Sequence, residues 1–146
     1  MANEVPYAFP VELLSGTHNF ASDTFKLALY TASPYTTAST VYVTGSETTG
    51  TEYSAGGNTL TGNAVSNVAN YATVDFTPDP VWGSPTPATF SALGAAIYNL
   101  SDSNKLVVVL DFGATFSCSN GTFTVTFPAP TAGTPSGADA LLSINS

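Results

Sequence analysis

Residues 121–128, Gly-Thr-Phe-Thr-Val-Thr-Phe-Pro, place Phe123, Val125 and Phe127 at every second position, with Thr122, Thr124 and Thr126 between them. Side chains along a strand point alternately to opposite faces, so this period of two makes one apolar face and one wet one, and a helix cannot sort the set. Asn120-Gly121 ahead of the run tolerates the positive φ of a tight turn. Beyond it, Phe116 and Cys118 alternate with Thr115, Ser117 and Ser119, which predicts a hairpin. Lys105-Leu-Val-Val-Val-Leu-Asp-Phe112 is apolar on both faces, the pattern of a central strand covered on two sides. Ser101-Asp-Ser-Asn104 turns the chain back to a strand near Ala95–Leu100, so residues 94–128 read as a meander.

The first half repeats the theme more loosely. Thr24–Thr31 sets Phe25, Leu27 and Leu29 against Lys26, Ala28 and Tyr30, Val41–Val43 is a short strand, and Tyr71–Phe76 turns Ala72, Val74 and Phe76 inward. Gly45–Gly62 reads as a long surface loop with a strand near Thr59–Leu60. Pro78, Pro80, Pro85 and Pro87 lack the ladder donor, so residues 78–87 are not a central strand. Pro10–Ser15 is the one candidate helical turn, and Ala140–Ile144 a last strand after a Thr/Gly/Pro linker. The expectation is an all-β fold: an antiparallel β-sandwich, with the jelly roll as one form of it, and a barrel as the minor alternative. Residues 1–20 are expected to form an extended N-terminal arm and 21–146 a single sandwich domain.

Composition narrows the function. The chain has 146 residues, about one domain, and only 8% are charged, against about 25% in ordinary soluble proteins. Thr, Ser, Asn and Gly supply the polarity instead. Lys26 and Lys105 are the only cations in a chain of net charge −8. Phosphates are held by cations, so neither nucleic acid nor an anionic membrane is an expected partner. No apolar run approaches the ~20 residues of a spanning helix, and Met1-Ala2-Asn3-Glu4 lacks the basic and apolar parts of a secretory signal. Cys118 is the single cysteine, which leaves packing rather than an intrachain disulfide to hold the fold.

Candidates for chemistry are few. His18 is the only histidine, and no G-x-S-x-G nucleophile motif accompanies it. Asp75 with Asp79, or Glu47 with Glu52, could pair as glycosidase carboxylates do, but no arginine stands by to bind acidic sugars. Asp102-Ser-Asn104 has oxygen ligands without the acid ladder of a calcium loop, and no His/Cys spacing suits zinc. The sequons Asn99-Leu-Ser101 and Asn120-Gly-Thr122 read as incidental in so Ser/Thr-rich a chain. A non-enzyme is expected, with no catalytic residue, cofactor or metal.

Contact with other proteins remains. Val5, Tyr7, Phe9 and Val11 alternate, with Pro6 and Pro10 between, as an extended segment added to a neighbour's sheet edge would. Tyr53 and Trp82 lie outside the predicted strands. Trp82 either folds back over the core, the favoured placement, or is presented to a partner. Val5, Tyr7, Phe9, Val11, Tyr53 and Trp82 are the candidate protein-contact residues.

Several phrases taken together carry a resemblance. They are Asn19-Phe20, Asp23-Thr-Phe-Lys-Leu-Ala-Leu-Tyr-Thr31, and the loop Glu47…Gly50-Thr-Glu-Tyr-Ser-Ala-Gly-Gly57…Leu60-Thr-Gly62. Ala95-Ala-Ile-Tyr-Asn99, Val109-Leu-Asp-Phe-Gly113 and Gly121–Pro128 complete the set. The combination, spanning most of residues 19–128, resembles small structural proteins of tailed bacteriophages. The resemblance implies a virion component, foremost a capsid decoration (cement) protein, and brings no catalytic residues. On that basis the expected partners are the major capsid protein and further copies of the chain, as trimer or dimer. The expected location is the capsid surface, after assembly in the host cytoplasm. A tail or head-fibre accessory protein, or a carbohydrate-binding module using Tyr53 and Trp82, is the alternative. The loop 78–87 and the tail from Pro130 carry none of these phrases.

Overall fold

Strand β1, Phe25–Tyr30, is enclosed on both faces, with Phe25, Leu27 and Leu29 on one and Ala28 and Tyr30 on the other. Such double burial requires cover from two sides, and the computed structural model, which describes residues 1–68, 71–128 and 142–145, shows where each comes from. β1 lies between β2 (Asn58–Thr59) and β6 (Ala88–Asn99), and β6 pairs in turn with β7 (Lys105–Gly121), giving an antiparallel four-stranded sheet in the order β2-β1-β6-β7. A three-stranded sheet runs β3 (Ala64–Val68), β4 (Tyr71–Asp75), β9 (Leu142–Asn145), and β5 (Val81–Trp82) pairs with β8 (Phe123–Thr124). The fold is all-β and antiparallel. The predicted last strand is present as β9, while residues 140–141 of it and the linker before them lie outside the described residues.

The main core joins Phe25, Leu27, Leu29, Ile97 and Val107 of the large sheet to Val74, Phe76, Val125 and Phe127. Phe25 and Phe76 meet with ring centroids 5.7 Å apart, and Phe90 and Phe123 at 5.1 Å, so the smaller sheets close one face of the large one. Ala72 was expected inside with Val74 and Phe76 but is exposed, because it lies past the end of the cover and borders a groove. Thr73 is the buried residue instead, its hydroxyl held by Ser66.

The hairpin at Asn120-Gly121 is not made as expected. β7 continues through Gly121, and the alternating run pairs with the proline-rich loop: β8 lies on Val81–Trp82, the Val125 N–H donates to the Pro80 carbonyl at 3.1 Å, and the Phe127 N–H donates to Asp79 at 3.0 Å. Alternation decides which side chains face inward and leaves the neighbouring strand open. Val125 and Phe127 are buried as predicted, and Phe123 is half-buried.

On the opposite face of the large sheet a second core gathers Ala28, Tyr30, Tyr35, Ala96, Tyr98, Leu106 and Val109. Its lid is pinned by Glu47, whose carboxylate accepts from Tyr42 Oη at 2.6 Å, Tyr53 Oη at 2.8 Å and the Gly56 N–H at 2.6 Å. Tyr30 bonds to Tyr35 and donates to the Val43 carbonyl. Burial pushes the phenols of Tyr30, Tyr35, Tyr42, Tyr53 and Tyr98 above 10, with Tyr98 reaching about 12. The folded state therefore keeps protons that the unfolded chain releases near 10, and stability is full below that pH and falls as pH rises above it. The denaturant midpoint should be flat from neutral pH to ~10 and then decline steeply, with the tyrosinate absorbance of these five phenols appearing only as the protein unfolds. Titration of most tyrosines near 10 in a still-folded protein would contradict this packing.

Candidate protein-contact site

The first twenty residues form no extended arm. Ala8–Leu14 is a helix, α1, and this corrects the strand-like expectation for residues 5–11. Pro10 sits in its first turn, where a backbone N–H has no helical partner and its loss is harmless. The end is closed by Gly16 at φ +80°: its N–H donates to the Leu13 carbonyl and that of Thr17 to the Glu12 carbonyl, the paired bonds of a Schellman cap. Val5, Tyr7, Phe9 and Val11 do alternate, but the same stretch at helical period puts Phe9 and Leu13 on one face and Tyr7, Val11 and Leu14 on the other.

The inner face is tied to the body of the protein. Phe9 is 3% exposed and packs on His18 and Phe20, with centroids 5.1 and 6.3 Å away. Ahead of the helix, Glu4 exchanges both backbone hydrogen bonds with Val109, and the Tyr7 N–H reaches the Thr37 carbonyl. Glu12 accepts from Lys105 Nζ at 2.6 Å and from His18 Nε2 at 3.2 Å. Burial pushes the Glu12 carboxyl up, but the hydrogen bonds from Lys105 and His18 outweigh it and hold it below its usual range. Lys105 is raised in turn by its bond to Glu12.

His18 is enclosed within this network. Asn99 Oδ1 accepts from the Ser101 and Asp102 N–H groups, so its amide nitrogen faces His18 Nδ1 at 3.3 Å and Asp23 at 2.7 Å. That fixes the imidazole with Nδ1 as acceptor and its proton on Nε2, toward Glu12. Both nitrogens are thereby committed, and the arrangement fastens α1 to the end of β6. Asn99 is fully buried, so its sequon is closed to modification. Among the described residues no group of three or more His, Cys, Asp and Glu is placed to hold a metal ion.

The outer face of α1 is bare. Tyr7 is 74%, Val11 68% and Leu14 90% exposed, at positions i, i+4 and i+7 of one helical stripe, with Val5 at its foot. Full burial of three such side chains would release about 1.5–3 kcal/mol each, so the stripe is the candidate contact surface of the helix. An apolar groove of about 440 Å³ meets the C-terminal end of α1 on its Leu13 side, bordered by Leu13, Phe20, Val65, Ala72, Val74 and Leu142; the stripe itself does not line it. Leu14 was not among the sequence candidates. The helical spacing from Tyr7 was its signal, masked by the alternation of the preceding residues.

The other candidates lie elsewhere. Phe9 and Trp82, each 3% exposed, belong to the core and are withdrawn as contact residues. Trp82 folds back, as favoured from sequence, against Tyr53 at 6.2 Å and Phe90 at 6.3 Å. Tyr53 is half-buried, with its hydroxyl on Glu47 and the Leu29 N–H. A sugar-stacking platform from Tyr53 and Trp82 is therefore not available. The structure thus leaves Val5, Tyr7 and Val11 of the predicted set exposed, and adds Leu14 to them. No known protein family, curated protein or solved structure matches the chain.

Proposed function

We propose that this chain is a structural protein of a tailed-bacteriophage virion, most specifically a capsid decoration protein that binds major capsid subunits on the outer surface of the head. The observation that carries this reading is the exposed stripe of Tyr7, Val11 and Leu14, held on a helix anchored to the β body through Phe9 and the Glu12–Lys105 pair. A contact surface needs an apolar centre on a support that does not deform. The wider surface helps: Thr, Ser and Asn lose little side-chain entropy when immobilised in a lattice, whereas long charged side chains lose more. The phage-like phrases of residues 19–128 supply the virion context, and binding rather than catalysis fits an imidazole and carboxylates already spent on structural bonds.

The test is co-sedimentation with heads assembled from the major capsid protein of the same genome and stripped of accessory proteins. The chain should pellet with the heads at a saturable, symmetric stoichiometry. Pelleting with purified tails alone would move it to the tail, and pelleting with neither would refute a virion role.

A further inference from the structure

β7 is the terminal strand of the large sheet, and its outer edge changes character half-way along. Over its first half the edge is covered: Val109 pairs with Glu4, Lys105 with Val41, the Leu106 N–H reaches the Thr40 carbonyl, and the Asp111 N–H reaches Asn3. From Phe112 to Gly121 no strand or bridge lies on that edge among the described residues. The alternating run that could have closed it as a hairpin is paired with β5 instead. Between β7 and residues 122–126 a groove of about 470 Å³ is left, floored by Phe112, Phe116 and Phe123. Phe116 is 53% exposed; the other eight phenylalanines are buried or half-buried.

Open strand edges are ordinarily protected by lysine, proline or inward charge. This one carries none of these: residues 112–126 contain no charged side chain and no proline. The bracketing carboxylates are occupied, Asp111 by the Gly113 N–H and Asp79 by the Phe127 N–H. In a chain of net charge −8 with two lysines, most faces of two copies repel each other. The neutral face lets them meet without bringing carboxylates together, and it offers a foreign basic partner no attraction. Register shifts at Ala92/Gly94 and Ala88/Phe90 bound the regular stretch Phe116–Cys118, so the edge is short and its pairing is centred there.

We infer that this face is where two copies of the chain associate about a two-fold axis, the β7 edges antiparallel and each Phe116 covered by the other copy's groove. A two-fold contact uses the same patch on both partners, which an edge with its own apolar groove satisfies. The inference rests on β7 and is independent of α1, so it stands or falls separately from the capsid reading.

The full chain is followed by sedimentation velocity over a concentration series, with amide hydrogen exchange read in parallel. The wild type should form a dimer whose amides at 115–119 gain protection as the dimer fills. Phe116→Lys, at an exposed site that the fold tolerates, should weaken the dimer about a hundredfold or more, since two phenyl groups lose their cover. A variant with serine at Tyr7, Val11 and Leu14 should dimerise like the wild type. A wild type that stays monomeric at every concentration overturns the inference. So does a dimer unaffected by Phe116→Lys, or protection of 115–119 that appears only with a different protein.

Discussion

Replacing Phe9 with alanine is expected to cost about 3–5 kcal/mol, as large-to-small changes in an aromatic core do, although the residue stands only nine places into the chain. Phe9 is 3% exposed between His18 and Phe20, and Phe20 stacks on Phe25 at 4.6 Å, so the loss opens a cavity that reaches β1. The exposed Tyr7→Ser change two residues earlier should stay within about 0.5 kcal/mol. Urea midpoints of the two variants check the contrast. A negligible effect of Phe9→Ala would mean that the N-terminal segment is an appendage after all. By the same reasoning, removing residues 1–10 should unfold much of the domain, because it also takes away the Glu4–Val109 pair over the second core.

Gly57→Ala should be more damaging still. Gly57 sits at φ +69° where the loop from Glu47 meets β1, and a Cβ there would overlap the Leu27 carbonyl oxygen and lie 2.7 Å from the Ala28 Cα. These are backbone atoms of a strand buried on both faces, so nothing nearby can rotate away. The next residues, Asn58 and Thr59, pair with Leu27 and Lys26, and a displaced loop would lose that pairing and Glu47's grip on Tyr53 and Gly56. A loss of about 4 kcal/mol or more is expected, or failure to fold. Gly16→Ala is the control. Its φ is +80° but no atom lies within 4 Å of the new methyl, so it should cost only about 1–2 kcal/mol. Equal costs at the two sites would show that backbone strain, not the clash with β1, governs Gly57.

Much of the sheet was legible from the side-chain period. Phe25/Leu27/Leu29 are placed as their pattern requires, and the run 105–112 is covered on both faces as read, because burial leaves a direct mark on sequence. The expected central place of that run is corrected, since β7 is the terminal strand of the sheet and backbone segments at residues 4 and 40–42 take the place of a further strand beside it. Partnering left no such mark. Asn120-Gly121 spells a hairpin, yet the chain there carries β7 through and hands the following strand to Val81–Trp82. β3 is exposed along residues 64–67, and so offered no apolar alternation to find. The candidate contact site was half legible. Tyr7 and Val11 were singled out as apolar residues without an evident place, but prolines at 6 and 10 were taken as breakers when Pro10 occupies the one helical turn that accepts it. Glu47, weighed with Glu52 as a carboxylate pair and set aside, binds the tyrosine lid.

Binding of decoration-free heads by the wild type and by the variant carrying Tyr7→Ser, Val11→Ser and Leu14→Ser tests the central claim most directly, provided thermal midpoints are measured on both. The account predicts that the variant keeps the wild-type midpoint within a few degrees and loses most of its affinity for heads, by a hundredfold or more for about 3 kcal/mol of lost burial. Undiminished binding by the folded variant would contradict the assignment of α1 as the docking surface.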